Sequence, residues 1–240
     1  MSDPSPIVEV RNICVDYRHS HAFFRKASKR ALNEVSFNIS EGETLGVIGR
    51  NGCGKSTLLR VLAGIYKEDE GVVIRRTNQI SLLSLALGFD LELSGRDNAV
   101  ICGMLLGHRK KEVISRLDEI IEFSELKSSI DDPIKTYSTG MRARLGFSVA
   151  LSMQVRFLLI DEILGVGDVS FRKKAYAAMT DRISSGQTVV LVSHSIDQVN
   201  RLCNRVLWLE EGEAVELGDP EQVTGNYLAF MEDERRQVSL

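Results

Sequence analysis

Residues 49–57, Gly-Arg-Asn-Gly-Cys-Gly-Lys-Ser-Thr, carry the types and spacing of a phosphate cradle. Gly49, Gly54, Lys55 and Ser56 satisfy the pattern G-x-x-x-x-G-K-[ST]. Glycines let backbone N–H groups close around a phosphate with no side chain in between. A helix beginning here adds its free donors and the positive end of its dipole. Lys55 is expected to reach the outer phosphates and the Ser56 hydroxyl to ligate Mg²⁺. With Asn51, Gly52, Cys53 and Thr57 in the same loop, the stretch predicts a nucleoside triphosphate site.

A second group is Phe157-Leu158-Leu159-Ile160-Asp161-Glu162, an apolar run ending in two carboxylates. A carboxylate at the exit of a buried strand can hold Mg²⁺ through water, which suits Asp161. Its neighbour Glu162 can orient and deprotonate an attacking water. Two acids ending a strand are common; beside a phosphate loop the pair becomes informative. Val189 to Val192 is another buried run, followed by Ser193-His194, and the end of such a strand faces the ligand crevice of an α/β sheet. Tyr17 is a candidate for stacking on adenine and equally a core or surface tyrosine. Cys53, beside a helix N-terminus, is expected to have a depressed thiol pKa, with alkylation there blocking ATP and ATP protecting it.

Holding these groups requires particular elements. Thr44–Ile48 reads as a buried strand, and Leu58, Leu59, Val61 and Leu62 fall at helical spacing after the loop. Ile7–Val10 and Val35–Ile39 alternate as half-buried strands, Glu41-Gly42 is a turn, and Glu70–Ile74 and Ile80–Leu83 are further strands. The short strands before the phosphate loop predict a small antiparallel sheet ahead of the nucleotide core. From Ser94 to about Met153 the pattern is helical, with Val113, Ile114, Leu117, Ile120 and Ile121 at helical spacing within Arg109 to Glu122 and Asp131-Asp132-Pro133 as the last loop. Ser138-Thr139-Gly140 opens a helix carrying Leu145, Phe147 and Val149. Arg205–Leu209 is a strand, Glu211-Gly212-Glu213 a turn, and Asp219-Pro220 the start of a final helix running to about Phe230.

Composition narrows the class. The 240 residues suit one large α/β domain or a domain with a subdomain, and 30 basic against 33 acidic residues leave no electrostatic footprint for nucleic acid. No apolar run reaches the roughly 18 residues of a membrane span, and Met1-Ser2-Asp3-Pro4 opens no signal peptide. Four cysteines without a C-x-x-C pair argue against a disulfide framework or zinc site and fit a reducing compartment. Arg18 to Arg30 is a basic insert with Phe23 and Phe24, either a solvated loop, the commoner case, or a contact for an acidic partner or lipid head groups.

The order of phosphate loop, helical insert, Tyr137-Ser138-Thr139-Gly140-Met141, Asp161-Glu162, Asp168 and His194 resembles the nucleotide-binding subunit of an ABC transporter over essentially the whole chain. In that family the turn reads Leu-Ser-Gly-Gly-Gln. Thr139 and Met141 depart from it in the manner of subunits that export polysaccharides such as O-antigen, capsule and teichoic acid. Gly88 to Asn98 and Asp161 to Asp168 resemble the same subgroup.

The resemblance implies an α/β, P-loop NTPase fold: an ABC-type ATPase core of about 7–87 and 154–240 with an N-terminal antiparallel β subdomain, and an inserted helical subdomain of about 88–153, all one domain over 1–240. It implies an ATPase with ATP and Mg²⁺ as cofactors and a homodimer in the ATP-bound state. Ser138 and Gly140 would then meet the partner's γ-phosphate, Asp168, ending the loop after Glu162, would join the nucleotide-binding residues, His194 would sense the γ-phosphate and Tyr17 would stack on adenine. Two copies of an integral membrane permease, driven at the cytoplasmic face of the membrane, would move a lipid-linked polysaccharide. The family's glutamine ahead of the helical insert would fall near Ser84 or Leu85, neither of which can replace it; Gln79 reads as structural. No glycan-binding β-domain follows Phe230, so glycan recognition is expected in the membrane subunit or elsewhere. An ATPase for another transported substrate, or a soluble ABC-type switch, shares these motifs.

Overall fold

The computed structural model describes residues 6–18, 28–83, 88–153, 155–161 and 168–238. In chain order the elements are β1 (Val8–Arg18), β2 (Ser28–Ile39), β3 (Thr44–Ile48), α1 (Lys55–Leu62), β4 (Glu70–Arg75), β5 (Ile80–Leu83), α2 (Gly95–Leu105), α3 (Lys110–Ser115) and α4 (Leu117–Ser124). A 3-10 turn at Ile134–Thr136 precedes α5 (Thr139–Ser152), β6 (Phe157–Asp161), α6 (Val169–Ser184), β7 (Thr188–Val192), α7 (Ile196–Leu202), β8 (Arg205–Glu210), β9 (Glu213–Gly218) and α8 (Pro220–Val238). The chain forms two compact units, Met1–Thr77 with Gly186–Leu240, and Asn78–Ser185.

The first unit holds two sheets. β1 lies antiparallel between β2 and β4, burying Val8, Val10 and Ile13. In the second, β3 runs parallel to β7 on one side and β8 on the other, while β9 returns antiparallel along β8. All five residues of β3 and of β7 are buried, as parallel strands covered on both faces must be. β9 is a half-exposed edge strand that the sequence reading stops short of at Glu213. The basic insert also reads differently at its ends. Arg18 closes β1 and Ser28 opens β2, with Arg30 paired to Asp16 and Glu70, whose carboxylates tie its guanidinium into the sheet. Residues 19–27 lie outside the described residues.

The second unit pairs β5 and β6 in parallel and packs Ile120, Ile130, Ile134, Leu145 and Val149 into one core. The helical stretch read at about 88–153 thus lies inside a longer unit, because the strand pair β5–β6 and helix α6 belong to it as well. The helical spacing over Arg109 to Glu122 is carried by two helices, α3 and α4. Arg116 leaves helical geometry at φ −106°, ψ 3°, and its guanidinium donates to the carbonyl of Ser152 at 3.1 Å.

Candidate functional site

The phosphate loop follows β3 directly, and its glycines are required by geometry. Gly49 has φ +144°, and a Cβ there would lie 1.9 Å from the carbonyl oxygen of Leu209 on β8. Gly54 is left-handed at φ +114° as the N-cap of α1, where a Cβ would lie 2.5 Å from the carbonyl oxygen of Ala31. Having no side chain, Gly54 leaves the first-turn donors of α1 uncapped. Lys55 is buried at 7% exposure, and its Nζ donates to the carbonyls of Gly49 at 2.7 Å and Arg50 at 2.8 Å. Ser56, Asn51 and Gly52 are exposed; Thr57 is buried, with its hydroxyl on that of Tyr17 at 2.8 Å. The Tyr17 ring in turn meets Tyr66 edge-on, 6.1 Å between centroids.

Cys53 contradicts its expected chemistry. The thiol is 4% exposed, and burial pushes its pKa up, against the opposing pull of the Lys55 ammonium 3.9 Å from Sγ. A helix N-terminus and the nearby ammonium favour the thiolate, burial disfavours it, and here desolvation wins.

His194 leaves the same edge of the sheet as the loop, since β7 is the parallel neighbour of β3 with Val47 opposite Val192. It is exposed, and the turn carrying it is fixed on both sides. Ser193 Oγ donates to Gln198 Oε1 at 2.7 Å, and Ser195 caps α7.

In the second unit Ser138 is the N-cap of α5, its hydroxyl accepting from the Met141 amide at 3.1 Å. A cleft of about 430 Å³ opens there, lined by Ser138, Gly140, Met141, Arg144, Asp168 and Glu125 among others. Asp168 caps α6, accepting from the Phe171 amide at 2.9 Å and the Ser170 hydroxyl at 2.8 Å, and pairs with Arg144. The Phe171 amide and the Ser170 hydroxyl hold its carboxyl below the usual carboxylate range. Asp161 stands half-buried at the end of β6, as read. Glu162, Ser84 and Leu85 lie outside the described residues. Gln79 serves the strand pair, its carbonyl accepting from the Phe157 amide at 3.1 Å.

The sequence reading passed over Asn98, whose buried amide donates to the carbonyls of Asp90, Leu93 and Ser94 and accepts from the Asp90 amide. It folds the Gly88–Asn98 stretch. Arg144 was missed as well; its position one helical turn past Gly140 was the available signal.

Comparison with known proteins decides what these two assemblies belong to. Residues 32–165 match the family described as ABC transporter. The chain belongs to the ABC transporter family. Among its relatives, the O-antigen export system ATP-binding protein RfbB of Klebsiella pneumoniae is 44% identical, over 84% of this chain and 82% of that one. The ABC transporter protein AbcA of Aeromonas salmonicida is 40% identical over 90% and 72%. The teichoic acids export ATP-binding protein TagH of Enterococcus faecalis is 42% identical over 84% of this chain and 45% of its own length. A solved dimeric ATP-binding cassette in a post-hydrolysis state, bound to ADP and Pi, superimposes with a TM-score of 0.73 over 89% of this chain and 98% of that one at 22% identity. The fold is that of the ABC cassettes, and the protein is an ABC ATPase that takes ATP.

Proposed function

We propose that this ABC ATPase drives export of a lipid-linked polysaccharide. The observation that carries the proposal is the 44% identity to an O-antigen export subunit along most of both chains. The Tyr137-Ser138-Thr139-Gly140-Met141 turn at the start of α5 agrees with it.

ATP phosphates would lie over Gly49 to Thr57, on the uncapped first turn of α1 and the Lys55 ammonium, with the adenine on Tyr17. The hydroxyl of Ser56 and the carboxylate of Asp161 are hard oxygen donors suited to Mg²⁺. Mg²⁺ would supply charge neutralisation between the outer phosphates. Glu162 would deprotonate the attacking water and His194 would touch the γ-phosphate. Two copies would pair head to tail, Ser138 and Gly140 of each offering donors from the N-terminus of α5 to the ATP of the other. Asp168, committed to the α6 cap and Arg144, would support that turn rather than contact nucleotide.

No helix among the described residues is long and apolar enough to cross a membrane. The ATPase would sit at the cytoplasmic face, peripheral to two copies of a permease. Exposed Ile101, Met104 and Leu105 on α2 and Ile114 on α3 offer an apolar seat for it. The test is co-expression with a multi-span membrane protein of the same locus. Co-purification, with ATP turnover raised by the lipid-linked glycan, is expected. Association with a permease whose turnover responds to another substrate and not to glycan contradicts the proposal.

A further inference from the structure

The phosphate loop is held from behind by an element outside its motif. Arg50, the residue after Gly49, sends its side chain to β8 and α8. Nε donates to Glu210, the last residue of β8, at 2.6 Å, and Nη1 donates to Glu234 on α8. The guanidinium carbon lies 5.6 Å from the Phe230 ring centroid, also on α8, and Glu211 stands 3.7 Å from Nη2. The main chain of Arg50 faces the other way. Its carbonyl accepts from Lys55 Nζ at 2.8 Å and from the Cys53 amide at 3.3 Å. One residue therefore links α8 to the carbonyl on which the phosphate-binding lysine rests.

The seat has packing and charge behind it. The Glu210 side chain is 10% exposed, so its pair with Arg50 is screened far less than a surface pair. Phe230 and Tyr227 pack on Trp208 at 5.2 and 5.6 Å, and Trp208 is the β8 partner of Ile48, the residue just ahead of Gly49. The Arg50 fork is thus satisfied from two elements at once, a geometry that fixes direction as well as distance. Removing the Glu234 carboxylate frees half of the fork, and the loop loses its tie to α8.

We propose that Glu234 of α8 is a positioning residue for nucleotide binding, acting through Arg50 to hold the phosphate loop in its binding conformation. The inference rests on the reading of Gly49 to Thr57 as the ATP phosphate site. It makes the seating of α8 a determinant of ATP affinity, not of the chemical step.

The test uses the full chain as wild type, Glu234→Gln, Glu234→Asp, Phe230→Leu and Lys55→Ala, with ATP affinity by calorimetry and turnover by phosphate release. Trp208, the single tryptophan of the chain, reports through its emission whether α8 is seated. Glu234→Gln is expected to raise both Kd and KM for ATP about tenfold with kcat nearly unchanged. Glu234→Asp should keep most of the affinity, and Phe230→Leu should raise KM in the same direction. A merely structural role would lower kcat through a smaller active fraction and leave KM alone. Wild-type Kd and KM in Glu234→Gln and Phe230→Leu, with Lys55→Ala unable to bind ATP, overturn the inference alone. Wild-type ATP binding by Lys55→Ala overturns the phosphate-site reading and the inference with it.

Discussion

The hydroxyls of Tyr17 and Thr57 hydrogen-bond at 2.8 Å, joining the end of β1 to the first turn of α1. The antiparallel sheet is thereby fastened to the helix that would carry the phosphates. This places an aromatic ring beside the loop, where the proposed site has its adenine.

Two substitutions at Tyr17 separate ring from hydroxyl. Tyr17→Phe loses only the bond and should change ATP affinity by no more than a few-fold. Tyr17→Ala loses the stacking surface, worth about 1–3 kcal/mol for a base on an aromatic ring, and should weaken ATP by tenfold or more. Calorimetric titration of both variants checks this; wild-type affinity in Tyr17→Ala would remove the stacking role.

The loop itself predicts a contrast between Lys55 and Gly49. Lys55→Ala should fold normally and lose ATP binding by roughly two orders of magnitude, a charge-assisted contact being gone. Gly49→Ala must move the loop or β8, since its Cβ would meet the Leu209 carbonyl at 1.9 Å. It should therefore lower the melting temperature and abolish binding together. Thermal unfolding run alongside ATP titration distinguishes the two; a Gly49→Ala protein with wild-type stability would contradict the packing described.

Ser138 has a structural and a proposed chemical duty, and two variants part them. Ser138→Ala removes the α5 cap and should cost about 1 kcal/mol of stability. Ser138→Asp keeps a capping acceptor, so stability should hold. It also sets a negative charge where the partner's γ-phosphate is proposed, and turnover should fall at least about a hundredfold. Full ATPase activity in Ser138→Asp would end the proposed role.

The phosphate loop, the Ser138 cap and the strand before Asp161 were legible in the sequence because each is a local signal, a few residue types at fixed spacing. What escaped depends on distant partners. The break between α3 and α4 follows from Arg116 reaching a carbonyl 36 residues away. The final helix runs past Phe230 to Val238, carried on by Glu234 on Arg50, 184 residues earlier, and by Phe230 against Trp208. β9 was hidden because an exposed edge strand has little apolar alternation to show; its pairing with β8 makes it. At Cys53 a correct local argument, the helix dipole, was outweighed by burial that no nine-residue window reveals.

The desolvated thiols of Cys203, buried, and Cys102, partly buried, set an alkaline limit. Burial pushes Cys203 up to about 12 and Cys102 up to about 11. An unfolded thiol titrates near about 8.5, so between these values the folded state holds the extra protons. Stability from this source is complete below about pH 8.5 and is lost as pH rises through the folded values. Melting temperature should fall above about pH 8.5, less steeply in Cys203→Ala. Cys53 should likewise react slowly with iodoacetamide at neutral pH, faster as pH rises, and more slowly again with ATP bound. A flat melting profile to pH 10, or rapid neutral labelling of Cys53, would contradict the burial assigned to these thiols.

The central claim is an ATPase that works as a nucleotide-closed pair, and Glu162→Gln tests it most directly. Steady-state phosphate release and light scattering are measured on wild type and variant with ATP and Mg²⁺. The account predicts that Glu162→Gln loses turnover by at least about a hundredfold, binds ATP normally and shifts from monomer to dimer when ATP is added. Turnover at the wild-type rate, with the variant monomeric in saturating ATP, would contradict it.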